Sequence, residues 1–207
     1  IKCQKHFDKK NSVGFVKTHN MLFNFDKKYP FTNLEHTLGV IYIVRDPRNV
    51  ALSYARHLDI PIKQAVKFMT TGKIIKNDIM GNWSENYTSW KAFNYYEKYL
   101  LVKYEELALE PEKTFKKILQ FVYKLRKKDF ILNQNKLNNT MKSTSFDNLK
   151  NLEKIKIFQE SVKDNKGNKI NFFDKGAKRD WSMSLSKDLT IQIETSHKNE
   201  MKELGYL

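Results

Sequence analysis

Arg45 stands at the end of an unbroken apolar run, Val40-Ile41-Tyr42-Ile43-Val44, and is followed at once by Asp46-Pro47. A guanidinium offers five donors in a planar fork that suits a phosphate. Ligands of open parallel sheets bind just beyond the carboxyl ends of the strands. Ser53 lies eight positions on, and a sharp strand-to-helix corner can bring its hydroxyl to the same anion. The plainer reading pairs Arg45 with Asp46 or a nearby carboxylate and leaves Ser53 a solvated helical serine; taken singly, it has a slight edge. A second place is Phe15-Val16-Lys17-Thr18-His19. Strand alternation puts Lys17 and His19 on one face. A histidine near neutral pKa is a natural base for a hydroxyl, and a neighbouring lysine can hold developing negative charge. The other histidines, His6, His36, His57 and His197, read as surface or hydrogen-bonded core residues. A third place is Phe172 to Trp181, where Lys175-Gly176 lets backbone amides approach an anion. Its plain alternative is a solvated basic loop anchored by Trp181.

The elements that must position these groups follow from pattern. Val13 to Thr18 reads as an extended, β-rich segment. Gly39 to Val44 reads as a strand covered on both faces, and Tyr99 to Tyr104 as another. Asp46 as N-cap with Pro47 in the first turn starts a helix carrying Ala51, Ala55 and Leu58 on one face. Pro61 opens a second, with Ile62, Ala65, Val66 and Met69 inward, stopped by Gly72. Trp83, Tyr87, Trp90 and Phe93 form an aromatic helical stripe. Pro111 opens a helix with Phe115, Ile118, Leu119, Val122 and Leu125 inward, and Asp188 to Leu204 reads as a final helix. Strands alternating with helices predict an α/β fold, a parallel sheet flanked by helices.

The chain has 207 residues, and 40% of them are hydrophobic, enough for a packed core in one domain spanning 1–207. Lysine plus arginine is 38 against 23 acidic residues, a net charge of +15, which points to an anionic ligand or polyanionic partner. A single cysteine, Cys3, excludes an internal disulfide scaffold. No apolar run reaches membrane-spanning length and no signal peptide is visible, so the expected location is cytoplasmic. The surplus of lysine and asparagine resembles a codon-composition bias, and no internal repeat is found.

Together these segments resemble the sulfotransferases that use 3′-phosphoadenosine 5′-phosphosulfate. Val16-Lys17-Thr18-His19 is similar to their "KTH" element, and Tyr42 to Tyr54 to their 3′-phosphate signature. Gly81-Asn82-Trp83 with Trp90 resembles "GxW…W". Val102 to Leu107, with Glu110-Pro111 and Ile118 to Phe121, resembles the "YEDL…P…I..F" strand and helix. Ser143 to Phe146 resembles "TSF", and Lys175-Gly176 with Asp180-Trp181 resembles "RKGxxGDW". Six elements in order, from about residue 13 to the end, outweigh the plain readings of each piece.

The resemblance implies a P-loop-kinase-like sulfotransferase fold without its first strand, loop and helix. It implies that Arg45 and Ser53 grip a 3′-phosphate, with Lys175 and Gly176 closing over it. It implies that Tyr104, Thr144, Ser145 and Phe146 line the adenine, Phe146 by stacking. His19 is then the general base and Lys17 the partner of the moving charge. The cofactor is 3′-phosphoadenosine 5′-phosphosulfate, with adenosine 3′,5′-bisphosphate as product and no metal. The acceptor is a small molecule or a glycan, nucleic acid is not expected, and Ile60 to Asn77 would cap the acceptor pocket, with Phe68 and Met69 read first as core residues of a helix and only second as substrate contacts. Two departures stand out. Asp174 replaces the usual arginine before the lysine, and Arg179 replaces a glycine. The family's "YPKSGTTW" loop has no counterpart, so the expectation is an N-terminally incomplete domain or a catalytically impaired relative that binds adenosine 3′,5′-bisphosphate. A basic polyanion-binding module ranks last. Lys187, Thr190, Ile191 and Glu194 only loosely resemble a dimer motif, which leaves a homodimer open.

Overall fold

The computed structural model describes residues 13–24, 31–72, 79–155, 162–164, 166–176 and 180–207. Its centre is a parallel pair of strands, β1 (Val40–Val44) and β2 (Tyr99–Lys103), in register from Val40 opposite Tyr99 to Val44 opposite Lys103. The connection between them is helical: α1 (Pro47–Leu58), α2 (Ile62–Thr71), α3 (Trp83–Lys91) and a 3₁₀ turn (Ala92–Tyr96). A parallel pair needs such a crossover because its strands run the same way. After β2 come α4 (Tyr104–Leu109), α5 (Pro111–Leu125), α6 (Gln134–Ser143) and α7 (Phe146–Lys154). A short antiparallel hairpin, β3 (Val162–Lys163) with β4 (Lys169–Ile170), leads to a loop, a 3₁₀ turn (Trp181–Met183), α8 (Lys187–Ser196) and α9 (Lys198–Glu203). The fold class is therefore α/β, as expected.

The helix boundaries obey local chemistry. The Asp46 carboxylate accepts the Arg48 amide at 2.9 Å, capping α1 directly before Pro47. Gly72, at φ 68°, ends α2 in the left-handed region, where a Cβ would also press on the Asn82 amide. Asn82 and Glu85 close a reciprocal capping box on α3. Ala51, Val66, Met69, Leu185, Ile193 and Met201 form the main core, which holds α1, α2, α8 and α9 together. Val44, Tyr87 and Leu204 join the sheet to it through Trp83 and Tyr206.

Three expectations change. Val13 to Thr18 forms no strand: among the described residues it has no ladder partner, and Phe15 and Val16 are 75% and 72% exposed. β-rich composition does not make a strand where no neighbour takes its hydrogen bonds. The strand expected to be covered on both faces is covered on one. Val44 is 2% exposed but Ile43 is 56%, because the described sheet has two strands and its helices pack against the Tyr42–Val44 face. The C-terminal helix is two helices that break at His197, whose side chain is wholly buried. No described helix is long and apolar enough to cross a membrane.

Candidate functional site

β1 points Tyr42 and Val44 into the core, and alternation sends Ile43 and Arg45 to the other face. At the end of the strand, Arg45 donates from Nη2 to the Gly176 carbonyl at 2.7 Å, joining positions 131 residues apart. Its guanidinium carbon lies 4.4 Å from the centre of the Tyr104 ring, a cation–π contact from the residue that follows β2. Gly176 sits at φ 56°, and a Cβ there would stand 2.7 Å from the Phe146 ring. Glycine is needed for the backbone conformation and for this approach alike. Phe146 itself meets Phe173 edge-on at 5.8 Å. Arg45, Tyr104, Phe146 and Gly176, read from four separate segments, thus form one cluster.

The plain reading offers Arg45 a pairing with Asp46 or another nearby carboxylate. Asp46 is held by Arg48, through Nη2 at 2.8 Å and Nε at 3.0 Å. Arg48 also donates to Glu194 at 2.6 Å and to the Tyr206 carbonyl at 2.8 Å, and lies 4.0 Å over the Trp181 ring. Burial works against the Arg48 charge, but Asp46 and Glu194 outweigh it and hold the guanidinium above its ordinary range. Glu194 is therefore engaged within this chain. The sequence reading passed over Arg48, although a cation two residues after an N-capping aspartate at a buried corner is a recognisable pairing signal.

The remaining predicted residues are placed as follows. Ser53 is half-buried in α1, and no described residue hydrogen-bonds its hydroxyl. Thr144 returns its hydroxyl to the Thr140 carbonyl at 2.7 Å, and Ser145 caps α7 by accepting the Asn148 amide. Both are exposed and engaged locally, as is the end of α6 they follow. Lys175 is exposed. Asp174, in the place of an expected arginine, lies 3.7 Å from Arg56 Nε. Arg179 lies outside the described residues, as does the stretch 73–78 of the expected pocket cap.

Lys17 and His19 are exposed. The chain just after them is pinned to α3: Asn86 donates to the His19 carbonyl at 2.9 Å, Trp90 to the Asn20 carbonyl at 2.9 Å, and the Ser89 hydroxyl accepts the Leu22 amide at 2.9 Å. Asn86 also donates to the Met80 carbonyl at 2.8 Å and accepts from the Tyr42 hydroxyl at 2.9 Å. Burial, reinforced by Tyr87, pushes the Tyr42 hydroxyl well above its ordinary range, so it stays protonated as that donor. Asn86 lines a cavity of about 120 Å³ with Tyr42, Val50, Tyr54, Met69, Met80 and Trp83 among its neighbours. Asn86 thus links the His19 carbonyl to the wall of a small, mostly apolar cavity. Asn86 went unread in the sequence; its signal was a polar side chain three positions after Trp83 on an aromatic helix face. Phe68 is half-buried, while Met69 is a core residue and lines this cavity.

The Arg45 cluster as observed brings one guanidinium and the Gly176 backbone together beside the rings of Tyr104 and Phe146. Among the described residues no three His, Cys, Asp or Glu side chains gather to hold a metal ion.

A family model described as "Sulfotransferase domain" matches residues 3–205. Sulfotransferase 2A1 of Macaca fascicularis is 29% identical over 76% of this chain and 54% of its own length. Sulfotransferase 1B1 of Mus musculus is 25% identical over 92% of this chain and 62% of its own. The chain thus spans between about half and two thirds of these relatives. The crystal structure of mouse sulfotransferase SULT7A1 complexed with PAP superposes with a TM-score of 0.61 at 21% identity, over 88% of this chain and 65% of that one. This likeness shows a common fold.

Proposed function

This chain belongs to the sulfotransferase domain family, and on that premise we propose that it is a sulfotransferase that uses 3′-phosphoadenosine 5′-phosphosulfate to modify the hydroxyl or amine of a small acceptor. The observation that carries this is the Arg45–Gly176 contact at 2.7 Å beneath the Tyr104 ring. It brings the strand-end cation to the loop and aromatic residues that a nucleotide with a 3′-phosphate requires.

The bound cofactor would supply an activated sulfuryl group; the rest of the work belongs to the chain. Arg45 and Ser53 hold the 3′-phosphate, and Lys175 adds a third positive or polar contact from the loop. Tyr104 and Phe146 offer ring faces to the adenine, with Thr144 and Ser145 at its edge and Gly176 allowing close approach. Lys17 offsets charge on the moving group. His19 takes the acceptor's proton, work for which a positioned base contributes about 10²–10⁴-fold. The cavity lined by Asn86, whose amide also bonds the His19 carbonyl, favours an acceptor with a compact apolar body over a glycan, since its walls include Val50, Tyr54, Met69, Met80 and Trp83. We further assign the single domain 1–207 and a cytoplasmic setting to this reading.

Calorimetric titration with adenosine 3′,5′-bisphosphate against adenosine 5′-monophosphate tests the cofactor half. Clear preference for the bisphosphate is the expected result; equal binding of the two would remove the 3′-phosphate site. Sulfate transfer to simple phenols and alcohols, with His19→Ala as comparison, tests the other half.

A further inference from the structure

The loop between β4 and Gly176 has no regular structure, yet its backbone is held on both sides by side chains from two distant helices. Glu153, in α7 and 1% exposed, accepts the Phe172 amide at 2.5 Å and the Phe173 amide at 3.0 Å, one on each carboxylate oxygen. Arg56, in the last turn of α1, donates to the Asn171 carbonyl and, at 3.0 Å, to the Phe172 carbonyl. The Phe172 residue is thus gripped by a carboxylate at its N–H and a guanidinium at its C=O. Arg56 also faces the Asp174 carboxylate at 3.7 Å, and Lys169 donates to the Glu153 carbonyl at 3.0 Å.

We propose that Arg56 and Glu153 are positioning residues that fix the 171–176 loop so that Lys175 and Gly176 reach the 3′-phosphate held by Arg45. This rests on the nucleotide reading above. The two helices that supply the clamp also carry nucleotide residues: α1 holds Ser53, one turn before Arg56, and α7 begins at Phe146, which packs on Gly176. A loop tied to both cannot shift relative to either without losing charge-assisted bonds. The clamp also accounts for Asp174. An arginine at that position would face Arg56 across a few ångströms, whereas an aspartate matches it. The exposed Arg56–Asp174 pair is the weaker part, since ion pairs open to solvent contribute little; the carbonyl bonds are the stronger.

The test uses the full chain and reads two quantities. Amide hydrogen exchange over 171–176 is expected to quicken at least tenfold in Arg56→Gln, with α1 and α7 still protected. Unchanged exchange overturns the clamp whatever the ligand. Calorimetry is expected to show about tenfold weaker adenosine 3′,5′-bisphosphate binding in Arg56→Gln, the scale on which outer partners of a binding group act. Binding of adenosine 5′-monophosphate should be unaltered. Arg56→Lys should recover part of the loss, and Asp174→Asn should stay within about twofold of the parent, since ordinary surface pairs carry little. If the parent chain prefers the bisphosphate and Arg56→Gln keeps that preference, or loses both nucleotides equally, the positioning role is wrong. If the parent shows no preference, the nucleotide reading itself fails and the clamp has no phosphate to serve. Glu153→Gln is the second variant, expected to quicken exchange at Phe172 and Phe173 first.

Discussion

Arg45 and Arg48 stand three residues apart at one corner, and replacing each by alanine should separate binding from stability. The Arg48 side chain is 9% exposed and faces Asp46 and Glu194 side chains that are 10% and 28% exposed. Its removal leaves the buried Asp46 carboxylate with the residue-48 amide but no counter-charge, and takes this donor from Glu194 and the Tyr206 carbonyl. Breaking a buried pair from one side costs about 3–5 kcal/mol. For a chain of this size each kcal/mol lowers Tm by about 2–4 °C, so Arg48→Ala should lose roughly 6–20 °C. Arg45 donates a hydrogen bond to the Gly176 carbonyl and lies over the Tyr104 ring. Losing those costs about 1–2 kcal/mol, a fall of roughly 2–8 °C. In binding the order reverses. A guanidinium–phosphate hydrogen bond carries about 1.5–3 kcal/mol, so Arg45→Ala should weaken adenosine 3′,5′-bisphosphate by roughly 10–150-fold. Differential scanning calorimetry and isothermal titration on the two variants decide it. Equal Tm losses, or undiminished bisphosphate affinity in a folded Arg45→Ala, would refute the division of labour.

His19→Ala should lower turnover about 10²–10⁴-fold in a sulfate-transfer assay while nucleotide affinity, read by calorimetry, stays at the parent value. Gly176→Ala should weaken the bisphosphate several-fold, because φ 56° and the Phe146 ring 2.7 Å from a Cβ both oppose it; a titration showing parent affinity would contradict that. Stability should fall as pH drops below about 6.5. Burial holds the His197 imidazole below its ordinary 6.5, outweighing the Glu200 and Glu85 charges that oppose the shift. The unfolded chain therefore binds that proton first, and stability present above 6.5 is lost down to the folded value. Urea unfolding at pH 7 and pH 5.5 should show the loss, and His197→Phe should flatten it.

Much of the frame was legible because it is local. Asp46-Pro47, Pro61 with Gly72, and Pro111 mark helix ends through dihedral and capping chemistry that a few adjacent residues settle. β1 and β2 announce themselves as apolar runs of strand length. The α8–α9 break at His197 carries no glycine or proline. It is set by tertiary contacts: His197 Nδ1 lies 2.8 Å from the Ser84 hydroxyl, which donates to Glu200 at 2.8 Å. Arg48 meets Glu194 across 146 positions, and Arg56 meets Phe172 across 116. No window along the chain contains such pairs, and the site's support was invisible for that reason, while its motif residues were not.

β1 itself explains why the two halves of the site can cooperate. Tyr42, on the core face, ties through Asn86 to the His19 carbonyl, and Arg45, on the opposite face, ties to Gly176. Three residues of strand separate them, about 10 Å at 3.3 Å per residue. In the proposed reading, Arg45 would hold the 3′-phosphate on one side of this strand end while Lys17 and His19 would serve the reacting group on the other. The corner is well packed: Val44, Asp46, Pro47 and Arg48 are all buried. A positioning mechanism needs its reacting groups fixed to within a fraction of an ångström. In the proposed reading the Arg48 network helps to hold this corner, its guanidinium being taken up by Asp46, Glu194 and the Tyr206 carbonyl. A substitution that loosens the corner should therefore depress kcat before it raises the dissociation constant for adenosine 3′,5′-bisphosphate. Glu194→Gln, which keeps a hydrogen-bonding partner for Arg48 but removes the charge, is the mild variant on which to measure that order. If affinity falls first, the corner binds rather than aligns.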